Sequence, residues 1–201
     1  MFALFKHRNN ITHYAHFLFL LFIAAALLVQ GCGNKQKSDS TDESKDPGSL
    51  AVLYLQQNRF DEAEASFLRA IKLQPKEIVN YVDLSLLYLL QKDYDKAAKQ
   101  ANAGLQVQPG NADLLLVLAE AYTQKGDTQN AVQQLNSLLQ KDANNIKAYY
   151  KLASLTGTGG NTAQAKQYLL KLTVLVPANI VPRMQLAEIL AGENKTDSAL
   201  Y

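Results

Sequence analysis

Beyond residue 32 this 201-residue chain contains no histidine and no cysteine. His7, His13 and His16 stand within the first sixteen residues, and Cys32 is the sole cysteine. With the N-terminus removed, disulfides, His or Cys metal sites, and Ser-His-Asp or Cys-His catalysis are all excluded. An excess of positive charge is missing too. Of the 20 basic side chains only Lys6 and Arg8 precede Cys32, and all 18 acidic ones lie beyond residue 38, so the remainder is neutral. No basic field exists to attract nucleic acid. No cofactor or metal is expected, and the chain is expected not to be an enzyme.

The segment 1–31 has the pattern of a secretory signal. Lys6 and Arg8 supply the positive flank, and Phe17 to Val29 form an apolar run. As a helix that run reaches about 20 Å, short of the roughly 30 Å hydrocarbon core. The exit reads Leu28-Val29-Gln30-Gly31-Cys32 and resembles the bacterial lipobox, with Gln30 less usual than Ala or Ser. The resemblance implies that Cys32 is lipidated and becomes the mature N-terminus. Two or three acyl chains anchor stably where one does not. Gly33 in place of Asp implies sorting to the outer membrane, facing the periplasm. An uncleaved membrane anchor with an incidental cysteine is the competing reading. From Gly33 to about Gly48 there is no aliphatic or aromatic residue, which predicts a flexible tether spanning roughly 20–24 Å.

The rest of the chain is periodic. Ala63, Ala97, Ala131 and Ala165 stand 34 apart, with Ala199 one period on. A second ladder runs Pro75, Pro109, Ala143, Pro177 at the same spacing. This period is the mark of stacked helix-turn-helix units. With the proline at position 32 of each unit, positions 4, 7 and 11 form an i, i+3, i+7 stripe on a first helix. Positions 20, 24 and 27 repeat it on a second. Small residues at 8 and 20 let the two helices approach, and the proline ends the second helix.

The second unit gives Tyr81, Leu84, Ser85, Tyr88, Ala97, Ala101, Gly104 and Pro109; the first gives Leu50, Ala51, Tyr54, Ala63, Phe67, Ala70 and Pro75. On these residues the chain resembles the tetratricopeptide repeat family from about residue 49 to 201. The resemblance implies an all-α, right-handed superhelical solenoid. The expected divisions are the signal peptide (1–31), a lipidated cysteine and linker (32–48), four repeats (49–77, 78–111, 112–145 and 146–179) and a partial fifth (180–201).

Departures from the pattern carry expectations. Leu138 at position 27 and Ala143 in place of proline predict a differently packed third-to-fourth junction. Thr156 replaces tyrosine and is followed by Gly157-Thr158-Gly159-Gly160, which predicts an early helix end and a loose turn. A phosphate loop is excluded, since no strand precedes it and no Lys-Ser or Lys-Thr pair follows. In the fifth unit a first helix is expected from Ile180 to about Ala191, with a second beginning at Thr196. That leaves the last apolar face uncapped. Either the chain is a fragment, or a partner or a second copy covers its end.

In the family, first helices line the concave surface through positions 2, 5, 6, 9, 12 and 13. In this chain that implies an apolar floor of Val82, Leu86, Leu89 and Leu116, an acidic edge of Asp83, Asp113 and Glu120, and a basic edge of Lys147 and Lys151. Val117, Tyr150 and Met184 also fall at these positions. An amphipathic helix or a peptide with apolar anchors would suit such a floor. The family's carboxylate clamp is not carried over, because Gly48, Val52, Asp83 and Asp113 occupy its positions. Three functions compete. The first is a non-catalytic scaffold gathering envelope proteins, tethered to the membrane through Cys32. The second is the N-terminal region of a larger envelope enzyme or sensor whose chemistry lies beyond Tyr201. The third is glycan binding, for which Tyr150 is the aromatic candidate.

Overall fold

The computed structural model describes residues 46–198, with residues 194–198 placed as helix backbone only. The segments expected to form a signal peptide, a lipobox with Cys32 and a tether as far as residue 45, and also Ala199, lie outside the described residues. Among those described, the elements are helices: α1 (Pro47–Gln56), α2 (Phe60–Leu73), α3 (Ile78–Leu90), α4 (Tyr94–Val107), α5 (Ala112–Gln124), α6 (Thr128–Lys141), α7 (Ile146–Thr158), α8 (Thr162–Leu175) and α9 (Val181–Ser198). Each odd helix up to α7 packs on the even one after it, and each pair packs on the next. The architecture is an all-α helical-repeat solenoid.

The alanine ladder marks where the two helices of a pair meet. Ala63, Ala97, Ala131 and Ala165 are at most 1% exposed, so any larger side chain there would force the helices apart. The small residues of the first helices, Ala51, Ser85, Ala119 and Ala153, are buried as well. The longer side chains Leu84, Leu118 and Leu152 from first helices, with Phe67 and Leu135 from second helices, fill the remaining core.

The turn inside each pair repeats atom for atom. Asn58, Lys92, Gly126 and Gly160, again 34 apart, all take left-handed backbone, with φ of 58°, 61°, 77° and 80°. The next residue returns its N–H to the carbonyl five back: Arg59 to Tyr54, Asp93 to Tyr88, Asp127 to Tyr122 and Asn161 to Thr156, each at 2.9 Å. The left-handed residue itself bonds three back, as Gly126 does to Thr123 at 3.0 Å. This double closure satisfies carbonyls that the helix end would leave open. The same residue that completes it then caps the following helix. Asp93, Asp127 and Asn161 accept from the backbone N–H of Lys96, Asn130 and Gln164 at 3.1 Å. Arg59 makes no such cap.

Four expectations are corrected. The glycines after Thr156 do not shorten α7, which runs to Thr158 as its equivalents run to Leu90 and Gln124. Gly160 supplies the left-handed residue that the turn needs, and Thr156 is buried with its hydroxyl donating to the Leu152 carbonyl at 2.7 Å. Ala143 does not alter the turn of the third junction. Asn145 N–H meets the Asp142 carbonyl at 3.1 Å as Asn111 meets Gln108 at 3.2 Å, because proline favours this turn without being required for it. Tyr149 donates to the Ala143 carbonyl at 3.1 Å, as Tyr81 does to Pro75 at 3.0 Å.

Helix begins before Gly48, the expected end of the linker: Asp46 accepts from Ser49 N–H at 3.1 Å and Pro47 opens α1, a favourable first helical residue. The last correction concerns α9, one continuous helix to Ser198 where the sequence predicts a break before Thr196. Nothing between Ala191 and Ser198 forces a left-handed residue, and Lys166 on α8 holds Glu193 at 2.8 Å.

A candidate partner groove across three first helices

Helices α3, α5 and α7 are the first helices of three successive pairs. Successive residues of a helix are turned by about 100°, so neighbouring positions look to different sides. Position 5 (Val82, Leu116) and position 9 (Leu86, Glu120) share one face. Position 6 is rotated toward the preceding pair. Val117 accordingly is 3% exposed and packs into the core cluster of the pair before it.

A groove of about 470 Å³ runs across the three helices. It is lined by Val82, Leu86 and Leu89 from α3, by Asp113, Leu116, Val117 and Glu120 from α5, and by Lys147 and Lys151 from α7. Its floor is apolar but open: Leu86 is 48% exposed, while Val82, Leu89 and Leu116 are half-buried against the core. Val82, Leu86, Leu89, Leu116, Glu120, Lys147 and Lys151, all selected from the sequence, therefore line one groove.

Three others do not join it. Asp83, at position 6, is turned away from Val82 toward the first pair. It lines a separate hollow with Asp46, Val52, Glu77, Val79 and Asn80, where burial raises its carboxyl pKa. Tyr150 is drawn to the last turn, its hydroxyl accepting from Asn179 Nδ2 at 2.9 Å. Met184 lies on α9, 61% exposed, outside the groove's lining. The acidic edge expected from Asp83, Asp113 and Glu120 is thus reduced to the last two.

The electrostatics differ from two opposed edges. Lys151 at position 6 reaches back to Glu120 at position 9 of the preceding pair and forms an ion pair with it. Gln124 Nε2 donates to the other Glu120 oxygen at 2.8 Å. The Lys151 bond above all, with help from Gln124 and against the cost of burial, holds the Glu120 carboxyl below its usual range. These two charges cancel inside the groove. Asp113 and Lys147, both at position 2 and both exposed, have no ion-pair partner among the described residues. The arrangement offers exposed apolar area, one internal ion pair and two open charges. By sequence, Glu120 and Lys151 belong to separate edges. Their sequence offset of 31, three short of the period, is the signal that pairs them.

No group of three His, Cys, Asp or Glu side chains that could hold a metal occurs among the described residues. Nor is any described helix long and apolar enough to cross a membrane.

Comparison with known proteins bears on the fold. Residues 49–77 and residues 88–155 each match a family model described as tetratricopeptide repeat. Among curated proteins none matches the sequence. Solved structures are similar at the level of the fold. The crystal structure of MamA superposes with a TM-score of 0.66 at 18% identity, covering 75% of this chain and 88% of that one. PilF of Pseudomonas aeruginosa gives 0.63 at 19%, covering 74% and 68%. YrrB, described as a TPR protein with an unusual peptide-binding site, gives 0.61 at 16%, covering 77% and 80%. From the ladder of buried alanines, the repeated left-handed turn and these matches together, the chain is an all-α helical-repeat solenoid in which residues 49–77 and 88–155 match tetratricopeptide-repeat models.

Proposed function

We propose that this protein is a non-catalytic scaffold of the bacterial cell envelope, anchored by lipid on Cys32, that binds an apolar-faced peptide or helix of another envelope protein in the groove across α3, α5 and α7. The observation that carries the binding reading is the half-exposed leucine floor. Leu86, Leu89 and Leu116 line one groove over two repeats, with an internally neutralised ion pair beside them. Burying each remaining leucine surface contributes roughly 1 kcal/mol, so a partner with three or four apolar anchors gains enough to offset its ordering. Interaction with other proteins is the typical work of this repeat fold, and YrrB, which has a similar fold, is described as having an unusual peptide-binding site. The anchor and the envelope location rest on the lipobox sequence. The outer membrane facing the periplasm is the destination that Gly33 favours.

Affinity capture from membranes tests the proposal, with the unchanged protein beside a Leu86→Glu/Leu116→Glu variant checked for native helix content. Loss of the captured set in the variant supports groove binding; identical capture defeats it. Replacing Cys32 with Ser should abolish metabolic acyl labelling and release the protein from membranes. Labelling that persists unchanged contradicts the anchor.

A further inference from the structure

We infer that the groove is polar in direction: its occupant carries a basic residue against Asp113 and an acidic residue against Lys147, following an apolar block that starts on Leu86 and Leu89 and reaches Leu116 beside Asp113. This rests on the groove reading above and adds to it the order of chemistry along the partner.

The four charged side chains of the groove are not equivalent. Glu120 is bound by both Lys151 and Gln124, so a ligand charge meeting either member of that pair must first break it. Breaking a partly buried pair leaves its other member unsatisfied and gives back what the new contact gains. Asp113 and Lys147 are free of this cost. They are exposed, line the same groove, and have no ion-pair partner among the described residues.

Their placement gives the direction. Val82, Leu86 and Leu89 come from the second repeat, Asp113 from the third and Lys147 from the fourth. Passing along the solenoid, the groove is apolar on α3, carries Leu116 beside the open negative charge of Asp113 on α5, and ends on the open positive charge of Lys147 on α7. Asp113 and Lys147 occupy the same position on successive first helices, one repeat apart, and a separation of roughly 10 Å serves as the working scale for the two open charges. It corresponds to about six residues of a helical partner or about three of an extended one. A segment reversed in the groove, or with its two charges exchanged, would set like charges against each other. Charge patterns of this kind fix register and exclude wrong partners more than they add affinity.

A display library of random peptides, selected on the full chain, tests this. Peptides retained by a Leu86→Glu/Leu116→Glu variant are discarded as not bound in the groove, and the rest are sequenced. The expected result is an apolar block followed by a basic and then an acidic position. A double variant, Asp113→Lys with Lys147→Asp, should bind any one of these peptides about tenfold more weakly and should select the opposite charge order. Groove-dependent peptides without charge order, or the same order on the exchanged variant, overturn the inference and leave the groove standing. If no peptide depends on Leu86 and Leu116, the groove reading itself fails, and the polarity with it.

Discussion

Replacing Gly104 with alanine would add one methyl group inside α4, and its sign can be worked out from two distances. In a generic helix interior the change stabilises by about 0.5–1 kcal/mol, because glycine loses more backbone freedom on folding. At Gly104, however, the new Cβ would stand 2.6 Å from Leu114 Cδ1 and 2.9 Å from Tyr81 Cβ. Leu114 is fully buried, and interiors are close-packed, so its displacement is resisted by its neighbours. Tyr81 Cβ is fixed to the α3 backbone, so relief requires α3, α4 or α5 to move. Overpacking of this kind costs about 1–3 kcal/mol. Because two contacts fall below 3.0 Å, the upper part of that range applies, and the net expectation is a loss of about 1–2.5 kcal/mol. Gly157 is the control. It too lies within a helix, but a Cβ there meets only Ala165 Cβ at an ordinary 3.8 Å, so Gly157→Ala should gain about 0.5 kcal/mol. Urea unfolding followed by far-ultraviolet circular dichroism measures both, with unchanged slopes as the criterion that only stability moved. A Gly104→Ala protein as stable as its parent, or two variants shifting the same way, would refute the packing argument.

Other outcomes concern the repeated turn and its caps. Lys92 holds a left-handed backbone that side chains other than glycine and asparagine resist, so Lys92→Gly should raise stability by about 0.5–1 kcal/mol, whereas Asn58→Gly should do much less; thermal unfolding compares them. Asp93→Ala removes the cap on Lys96 N–H and should cost about 1 kcal/mol, read from the same melts. Asp127, through its bonds from the Asn130 side chain and then its backbone, and Glu120, chiefly through Lys151, have carboxyl pKa values below their ordinary ones. A depressed folded value means that their contribution is complete above the ordinary carboxylate range, about pH 4, and is lost as pH falls through the lowered values. Denaturant midpoints taken from about pH 6 to about pH 3 should therefore drop on acidification, and less so for Asp127→Asn.

Much of the fold was legible in the chain because its cause is local and recurrent. An alanine once per repeat marks a helix crossing whatever surrounds it. Asp93 and Asp127 are residue types that cap helices, and Gly126 is one that takes a left-handed turn; the structure adds Asn161 and Gly160 to those roles. Departures from the pattern mean less than their residue types suggest. Ala143, and the glycines after Thr156, keep the same turn because hydrogen bonds between backbone groups define it, and several residue types satisfy those. The left-handed Lys92 carries no sign in its side chain and is visible only by its register with Gly126.

For the candidate site, sequence periodicity determined which residues lie on the first helices, hence that Val82, Leu86, Leu89 and Leu116 form one apolar line. It also placed acids and bases near one another. Which acid meets which base was decided only in three dimensions. Glu120 and Lys151 pair because position 6 looks back and position 9 lies within a lysine's reach of it across two helices. Asp83, one residue on from Val82, is turned into another hollow by a rotation of about 100°. A repeat sets the helical positions through local spacing. The meeting of side chains from different repeats depends on the distance and rotation between helices, which only the packed solenoid supplies.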